Sequence, residues 1–369
     1  MTSNRTRSRG LLAVLAALVA TALVVAGCGS SSSSSSSAST SGGGEGAGSE
    51  ELTHLTFMAD WAVPWVPQIP WVVAKEKGWF EEEGLDVDYE FPQGTAEPTK
   101  LVGAGKVNLA AVYTADDLAT NEQGLHSKVL MSLGSEKLPG GVCYLASSGI
   151  KEPKDFEGKT IAVYNYPQSE YNFKYFFEHN GVDEENVNIV PAGENSATLL
   201  IAGKVDGIDG STALECPTVE AKTGEKVETM LFDTEYGFPK TYFLELAANE
   251  SWLEGNEEAA EAFVHTIQKA TSWSEQHQEE ALQIFIEANP DTVEAEVAEL
   301  GFKGLKQSWC GETYSCWTPK KPIGWISPEV WQGMATFYKE GGLIESDGPE
   351  ASAMLTENKY LSSQYLPKP

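Results

Sequence analysis

From residue 57 onward, apolar positions fall in short runs separated by stretches of helical spacing, which predicts alternating strands and helices rather than a bundle or a sandwich. An apolar strand ends at Asp60-Trp61, a Pro-broken loop carries Trp65, and a helix through Trp71 runs to Gly78. Residues 85–91 alternate as a second strand, and residues 97–104 read as a helix closed by Gly105. A third strand over 107–112 delivers Tyr113, Thr114, Asp116 and Asp117 at its carboxyl end, and a fourth spans 128–133. This is the pattern of βαβ units, in which ligands sit at the carboxyl ends of parallel strands. Asp60, Trp61 and Trp65 would lie there.

Residues 134–141, rich in Gly and Pro, read as a crossover, after which the theme repeats. Strands are expected over 142–146, 160–164, 187–190, 205–208 and 228–232, with helices over 168–180 and 197–203. The two halves share a short echo: Ala104-Gly105-Lys106-Val107-Asn108 matches Ala202-Gly203-Lys204-Val205-Asp206, and Thr114-Ala115 matches Thr212-Ala213 at the same offset. Each half then offers a helix, a glycine stop and a strand to a common cleft. A strand over 241–247 is expected to return to the first half. Helices follow over 256–276, 279–288 and 328–340, read as packing on the back of the first half with Trp331 and Phe337 as core.

The amino terminus changes the picture of where this domain works. Arg5, Arg7 and Arg9 precede an apolar run over 11–25 and small residues before Cys28, the layout of an export signal. The run is shorter than the ~20 residues of a membrane span. Residues 29–48 are nearly all Ser and Gly, a flexible tether with a root-mean-square reach of about 25 Å. Of the chain's 25 basic residues those three are the only arginines; the 22 lysines left beside 54 acids put the rest at a formal charge of −32. Such a surface repels nucleic acid and anionic membranes. Without arginine no bidentate guanidinium clamp for a ligand carboxylate or phosphate exists, although lysines or helix N-termini remain.

Apart from Cys28 the cysteines are Cys143, Cys216, Cys310 and Cys316, an even number in an oxidising compartment. Cys310 and Cys316 bracket a five-residue loop and are expected to form a local disulfide; pairing of Cys143 with Cys216 is left open. No histidine accompanies them at metal-ligand spacing, and no metal or other cofactor is expected.

Three stretches now add up to a family pattern. Asp60-Trp61 follows the first strand, Lys77-Gly78-Trp79-Phe80 ends the first helix, and Asp155-Phe156-Glu157-Gly158-Lys159 precedes a second-half strand. Together with Thr356-Glu357-Asn358-Lys359-Tyr360-Leu361 near the end, they resemble the solute-binding proteins of ABC importers over residues 52–367. The subgroup is that of thiamine pyrimidine precursors and its nitrate, sulfonate and taurine relatives, and Val25-Ala26-Gly27-Cys28 is similar to a bacterial lipobox. The resemblance implies an α/β, two-lobed periplasmic-binding-protein type II fold, with the ligand cleft between two doubly wound lobes. It implies a lipoprotein signal peptide over 1–27, a lipidated Cys28 and tether over 28–50, lobe 1 from 51–141 with 239–369, and lobe 2 from 142–238. The implied protein is a monomer that is no enzyme. It is exported, lipid-anchored to the outer face of the cell membrane, and delivers a small aromatic, nitrogen-containing solute such as a thiamine pyrimidine precursor to a membrane permease. Sulfonate, nitrate, taurine or riboflavin binding is the alternative. Pyrimidine binders usually carry an Asn-His pair after Asp-Trp, whereas Val66-Pro67-Gln68-Ile69-Pro70 stands here. The resemblance also reaches a eukaryotic pyrimidine synthase that consumes its own histidine and uses a run of cysteines, which this sequence lacks.

A flat ring bearing amino groups is held by stacking on aromatics and by carboxylates that accept its N–H groups. The first lobe offers Asp60, Trp61, Trp65, Tyr113 and Asp116 for this. The second offers Tyr164, Tyr166, Glu170, Tyr171, Asp209 and Thr212. Glu170 and Asp116 have a competing role as acids in the first turn of a helix.

Overall fold

The computed structural model describes residues 52–367 except 135, 137–138, 165 and 310–316. The export signal, Cys28, the tether and the Cys310–Cys316 pair lie outside the described residues. Ten strands follow one another among those described: β1 Thr53–Met58, β2 Leu85–Glu90, β3 Leu109–Tyr113, β4 Ser127–Ser132, β5 Gly140–Leu145, β6 Thr160–Val163, β7 Asn188–Pro191, β8 Gly207–Ser211, β9 Val227–Leu231 and β10 Leu244–Asn249. They form two five-stranded sheets, ordered β2-β1-β3-β10-β4 and β7-β6-β8-β5-β9. No helix among the described residues is long and apolar enough to cross a membrane.

The sheets are mixed in the same way. β2, β1 and β3 run parallel, as do β7, β6 and β8, and the next strand in each sheet, β10 or β5, runs antiparallel to both its neighbours. That strand is in each case the one that has just crossed from the other sheet, so each sheet is completed by chain returning from its partner. β3 is buried along its whole length, as a strand covered on both faces must be.

The sequence echo is a structural one. Gly105 and Gly203 both adopt left-handed backbone, φ 66° and 62°, which only glycine reaches without strain. Their N–H groups close the preceding helices on the carbonyls of Val102 and Leu200. Asn108 Oδ1 then accepts the Thr56 N–H at 2.7 Å, and Asp206 Oδ2 accepts the Thr160 N–H at 2.8 Å. These side chains dock each strand onto its parallel neighbour, and β8 begins after Asp206, at Gly207. The threonines correspond too: Thr114 donates to the Tyr242 carbonyl at 3.2 Å and Thr212 to the Pro139 carbonyl at 3.1 Å. Each hydroxyl ties a strand end to one of the two connections between the sheets.

The helix Glu257–Gln276 packs on the first sheet, with Phe263 set 5.2 Å from Phe57 and 5.0 Å from Phe80 between ring centroids. The helix Pro328–Glu340 has its expected bounds and touches the first half as expected, but it reaches the second as well. Trp331 and Phe337 are buried in a cluster with Phe156, Phe173 and Phe176 of the second sheet's layer, joined by Ala115 and Leu118 from beside the first. Phe337 lies 4.8 Å from Tyr171 and 4.9 Å from Tyr175, because the helix Pro167–His179 presents an aromatic face that the expected packing left uncovered. The helix Ala295–Trp309 was not foreseen. Cys143 of β5 and Cys216 of the helix Glu215–Thr223 form a disulfide, with their Cα atoms 5.8 Å apart.

Candidate functional site

A cavity of about 850 Å³ opens where the carboxyl ends of β1 and β3 face those of β6 and β8. Seven expected residues line it: Trp61, Trp65, Tyr113, Asp116, Tyr164, Tyr166 and Asp209. The loop before the helix Ile69–Glu76 carries the tryptophans, Tyr113 ends β3, Asp116 lies in the first turn of the helix Thr114–Glu122 that follows it, and Tyr164 and Tyr166 follow β6. Phe243, in the connection back to the first sheet, sets its ring 5.0 Å from Tyr113 and 6.3 Å from Trp65. On the opposite wall Tyr164 and Tyr166 stack at 5.6 Å and 10°. Flat faces are therefore offered from both sheets.

Asp60 does not line the cavity. It is wholly buried behind it, where Oδ2 accepts Trp65 Nε1–H at 2.9 Å and the Tyr113 hydroxyl at 3.2 Å, and Oδ1 accepts Gln68 Nε2–H at 2.9 Å. Burial pushes its carboxyl up to about 6 even against these three donors. Asp60 therefore fixes two wall aromatics instead of meeting a solute. Glu170 is exposed in the first turn of Pro167–His179, its competing role. Tyr171 packs against Phe337 and Tyr175, close enough to Gly341 that a Cβ there would stand 2.6 Å from its ring. Thr212 gives both its N–H and its hydroxyl to the Pro139 carbonyl. None of these four residues lines the cavity.

The charged lining that the sequence reading missed is Glu97, Lys100 and Glu215. Glu215 accepts the Ser211 N–H at 2.8 Å and the Tyr164 hydroxyl at 2.9 Å, and burial raises its carboxyl nonetheless. An acid opening a helix just after β8 was the signal available for it. Burial also raises Asp116, with Lys100 and a Thr95 hydrogen bond pulling the other way. Asp209 is pushed up to about 7 by burial, opposed by a hydrogen bond from Ser169. Burial, with Glu215 and Asp209 nearby, keeps Tyr164 protonated far beyond the ordinary tyrosine range. Among the described residues Lys100 is the only basic side chain in the walls, against four acids. No group of three or more His, Cys, Asp or Glu side chains among the described residues is arranged to hold a metal ion.

Aromatic faces with acceptor carboxylates suit a planar ligand rich in N–H donors. A formylaminopyrimidine-binding protein of Halalkalibacterium halodurans is 27% identical over 301 residues, covering 80% of this chain and 88% of that protein. The 4-amino-5-hydroxymethyl-2-methylpyrimidine phosphate synthase THI13 of Saccharomyces cerevisiae is 29% identical over 228 residues, covering 59% of this chain and 66% of the enzyme. Among solved structures, the periplasmic aliphatic sulphonate binding protein SsuA of Escherichia coli superposes with a TM-score of 0.62 at 12% identity, covering 85% of this chain and 92% of that one. The fold is thus that of the periplasmic solute-binding proteins of ABC importers. A sequence profile of the NMT1/THI5 like family matches residues 66–281, more than half of the chain, and the protein belongs to that family.

Proposed function

We propose that the protein is the solute-binding component of an ABC importer and captures an amino-substituted pyrimidine of the thiamine-precursor class. The observation that carries this reading is the composition of the cleft: aromatic rings on both walls, the carboxyls of Asp116, Asp209 and Glu215 between them, and, among the described residues, a single lysine. Ring faces supply dispersion and stacking, and the carboxyls accept from ring amino groups. The name of the Halalkalibacterium relative points to the same ligand class. A sulfonate or nitrate would meet four acids and no arginine here, an unfavourable field for an anion.

Cys28 would carry the lipid that holds the protein at the outer face of the membrane, with residues 29–48 as its tether to a permease-docking domain. Residues 51–141 with 239–369 would move as one lobe and 142–238 as the other, closing over the solute. The synthase relatives suggest a second reading, but the cavity walls carry neither histidine nor cysteine among the described residues, which supports capture without turnover.

Calorimetric titration of the purified protein with 4-amino-5-hydroxymethyl-2-methylpyrimidine, its formylamino analogue, taurine and nitrate tests this. We expect a one-to-one complex with the pyrimidines, at micromolar affinity or tighter. Binding of the anions alone would overturn the reading, and chemical conversion of an added pyrimidine would move the protein to the enzymes.

A further inference from the structure

The second-sheet wall of the cleft carries two oxygen atoms without a donor among the described residues. Asp209, the third residue of β8, is 8% exposed, and Asn172, on the helix Pro167–His179, is 7% exposed. Both line the cavity, and Asp209 Oδ2 and Asn172 Oδ1 have no hydrogen-bond partner among the described residues. Both residues stand on the same wall: Ser169 and the Tyr164 N–H donate to Asp209, and Asn172 follows Ser169 by three residues, on the same helical face. A buried acceptor left open costs free energy unless a ligand supplies the donor.

The charges around the notch choose the donor. Glu215 faces it from the helix Glu215–Thr223, with Glu194 acting on Glu215 in turn, and Tyr164 faces it from the end of β6. Ser169 and Asn172 face it from the helix Pro167–His179 and carry no charge. Lys100, the one cation of the cleft among the described residues, acts on Asp116 instead. Asp209 therefore sits among acids with no positive partner among the described residues.

We propose that Asp209 and Asn172 form an acceptor notch that selects ring ligands whose side arm ends in a primary amine, taken up as the ammonium. The inference rests on the reading of the cleft as a pyrimidine site and narrows it: an ammonium supplies the missing charge and three donors, whereas a hydroxyl or an acylated nitrogen supplies only neutral hydrogen bonds. Because burial holds the Asp209 carboxyl up near 7, ammonium uptake requires its ionisation and strengthens as pH rises from 6 to 8. Glu215 also faces the notch and acts on a cationic arm, so the change in arm preference between wild type and Asp209→Asn, not the preference by itself, isolates Asp209.

The test titrates the full chain with one aminopyrimidine ring bearing an aminomethyl, hydroxymethyl or methyl arm, at pH 6 and pH 8. The wild type is expected to prefer aminomethyl over methyl by about tenfold to a hundredfold at pH 8, as for a charge-assisted hydrogen bond, and by less at pH 6. Asp209→Asn is expected to abolish the preference and its pH dependence, and Asn172→Ala to reduce the preference, each read as the ratio of aminomethyl to methyl affinity within one variant. Melting curves establish which variants fold, and either one that folds decides. An unchanged preference in the variants, or none in the wild type, overturns the notch while leaving the cleft assignment standing. Failure of all three rings on the wild type overturns both.

Discussion

Asp60 and Trp61 are adjacent in sequence and were expected to act together on a ligand, yet they occupy opposite sides of the same wall. Trp61 lines the cavity, and Asp60 lies wholly buried behind it under three donated hydrogen bonds. The two positions should therefore fail differently. Trp61→Ala removes a wall ring and is expected to weaken pyrimidine binding at least tenfold with little change in melting temperature. Asp60→Ala leaves the Trp65, Gln68 and Tyr113 donors unpaired in a dry site and is expected to cost about 2–4 kcal/mol of stability by urea unfolding. Equal stability loss in both variants would contradict the separation. The contrast also marks a limit of sequence reading. Alternation places an acid and a ring at a strand end, but which of two neighbours turns inward depends on donors five, eight and fifty-three residues away. Asn172, Lys100 and Phe243 were missed for a related reason: each belongs to a helix or connection whose approach to the cleft is set by packing between distant elements.

At the scale of elements, the helix Ala295–Trp309 holds the two halves together through a face made of glycine. A Cβ at Gly301 would stand 2.4 Å from the Ala213 carbonyl oxygen and 3.5 Å from Val66, and one at Gly304 would stand 2.2 Å from the Thr212 carbonyl oxygen. The helix thus rests on the turn after β8 and, by the same face, on the loop that carries Trp65. Gly304→Ala must push helix and turn apart and is expected to cost about 1–3 kcal/mol in urea unfolding despite alanine's better helix propensity. A neutral or stabilising result would mean that the contact is loose. Across the second sheet, the Cys143–Cys216 disulfide spans 73 residues, a loop whose closure is worth about 4 kcal/mol on chain-entropy grounds. It also ties down the residue beside Glu215. Replacing both cysteines by serine is expected to lower stability by roughly 2–4 kcal/mol and to weaken pyrimidine binding; unchanged affinity would remove the disulfide from the site's support. The echo around Gly105 and Gly203 was readable in advance because capping chemistry is local. The helix Ala295–Trp309 was obscured by those same two glycines, which lower helix propensity wherever packing does not require them. For Pro328–Glu340 the amphipathic period identified the buried face, but a period carries no information about which sheet covers it.

Taken whole, the molecule is an acidic protein that also buries acids, and the two facts act in the same direction on stability. Asp60 is held up to about 6, and Asp117 and Asp209 up to about 7, all by burial. Glu245, wholly buried with a hydrogen bond from Thr114, is raised well above its ordinary value by the same cause. In each case the folded state keeps a proton that the unfolded chain releases from about pH 4. Unfolding therefore releases protons across this window, and stability falls as pH rises from about 4 through about 7, and further still while Glu275, pushed up to about 9 by burial, keeps its proton in the fold. Exposed acids such as Glu257, held low by Lys359, work in the opposite sense and lose their contribution below about pH 4, which closes the window from the acid side. Self-repulsion at high negative charge adds to the loss at neutral pH. The two causes separate in salt, because about 1 M salt shortens the Debye length to ~3 Å and removes surface repulsion but not burial. We expect the melting temperature in high salt to be higher at pH 5 than at pH 8. Asp117→Asn is the decisive variant, since Asp117 lies outside the cavity walls, accepts the Ser127 hydroxyl at 2.7 Å through Oδ1, and leaves Oδ2 unpartnered among the described residues. An amide keeps the first bond and has no charge to bury, so it should raise the melting temperature at pH 8 and narrow the gap to pH 5. A wild-type melting temperature that stays level from pH 5 to pH 8 in high salt would show that the buried carboxyls are ionised in the folded protein and that partners within the fold already compensate their charge.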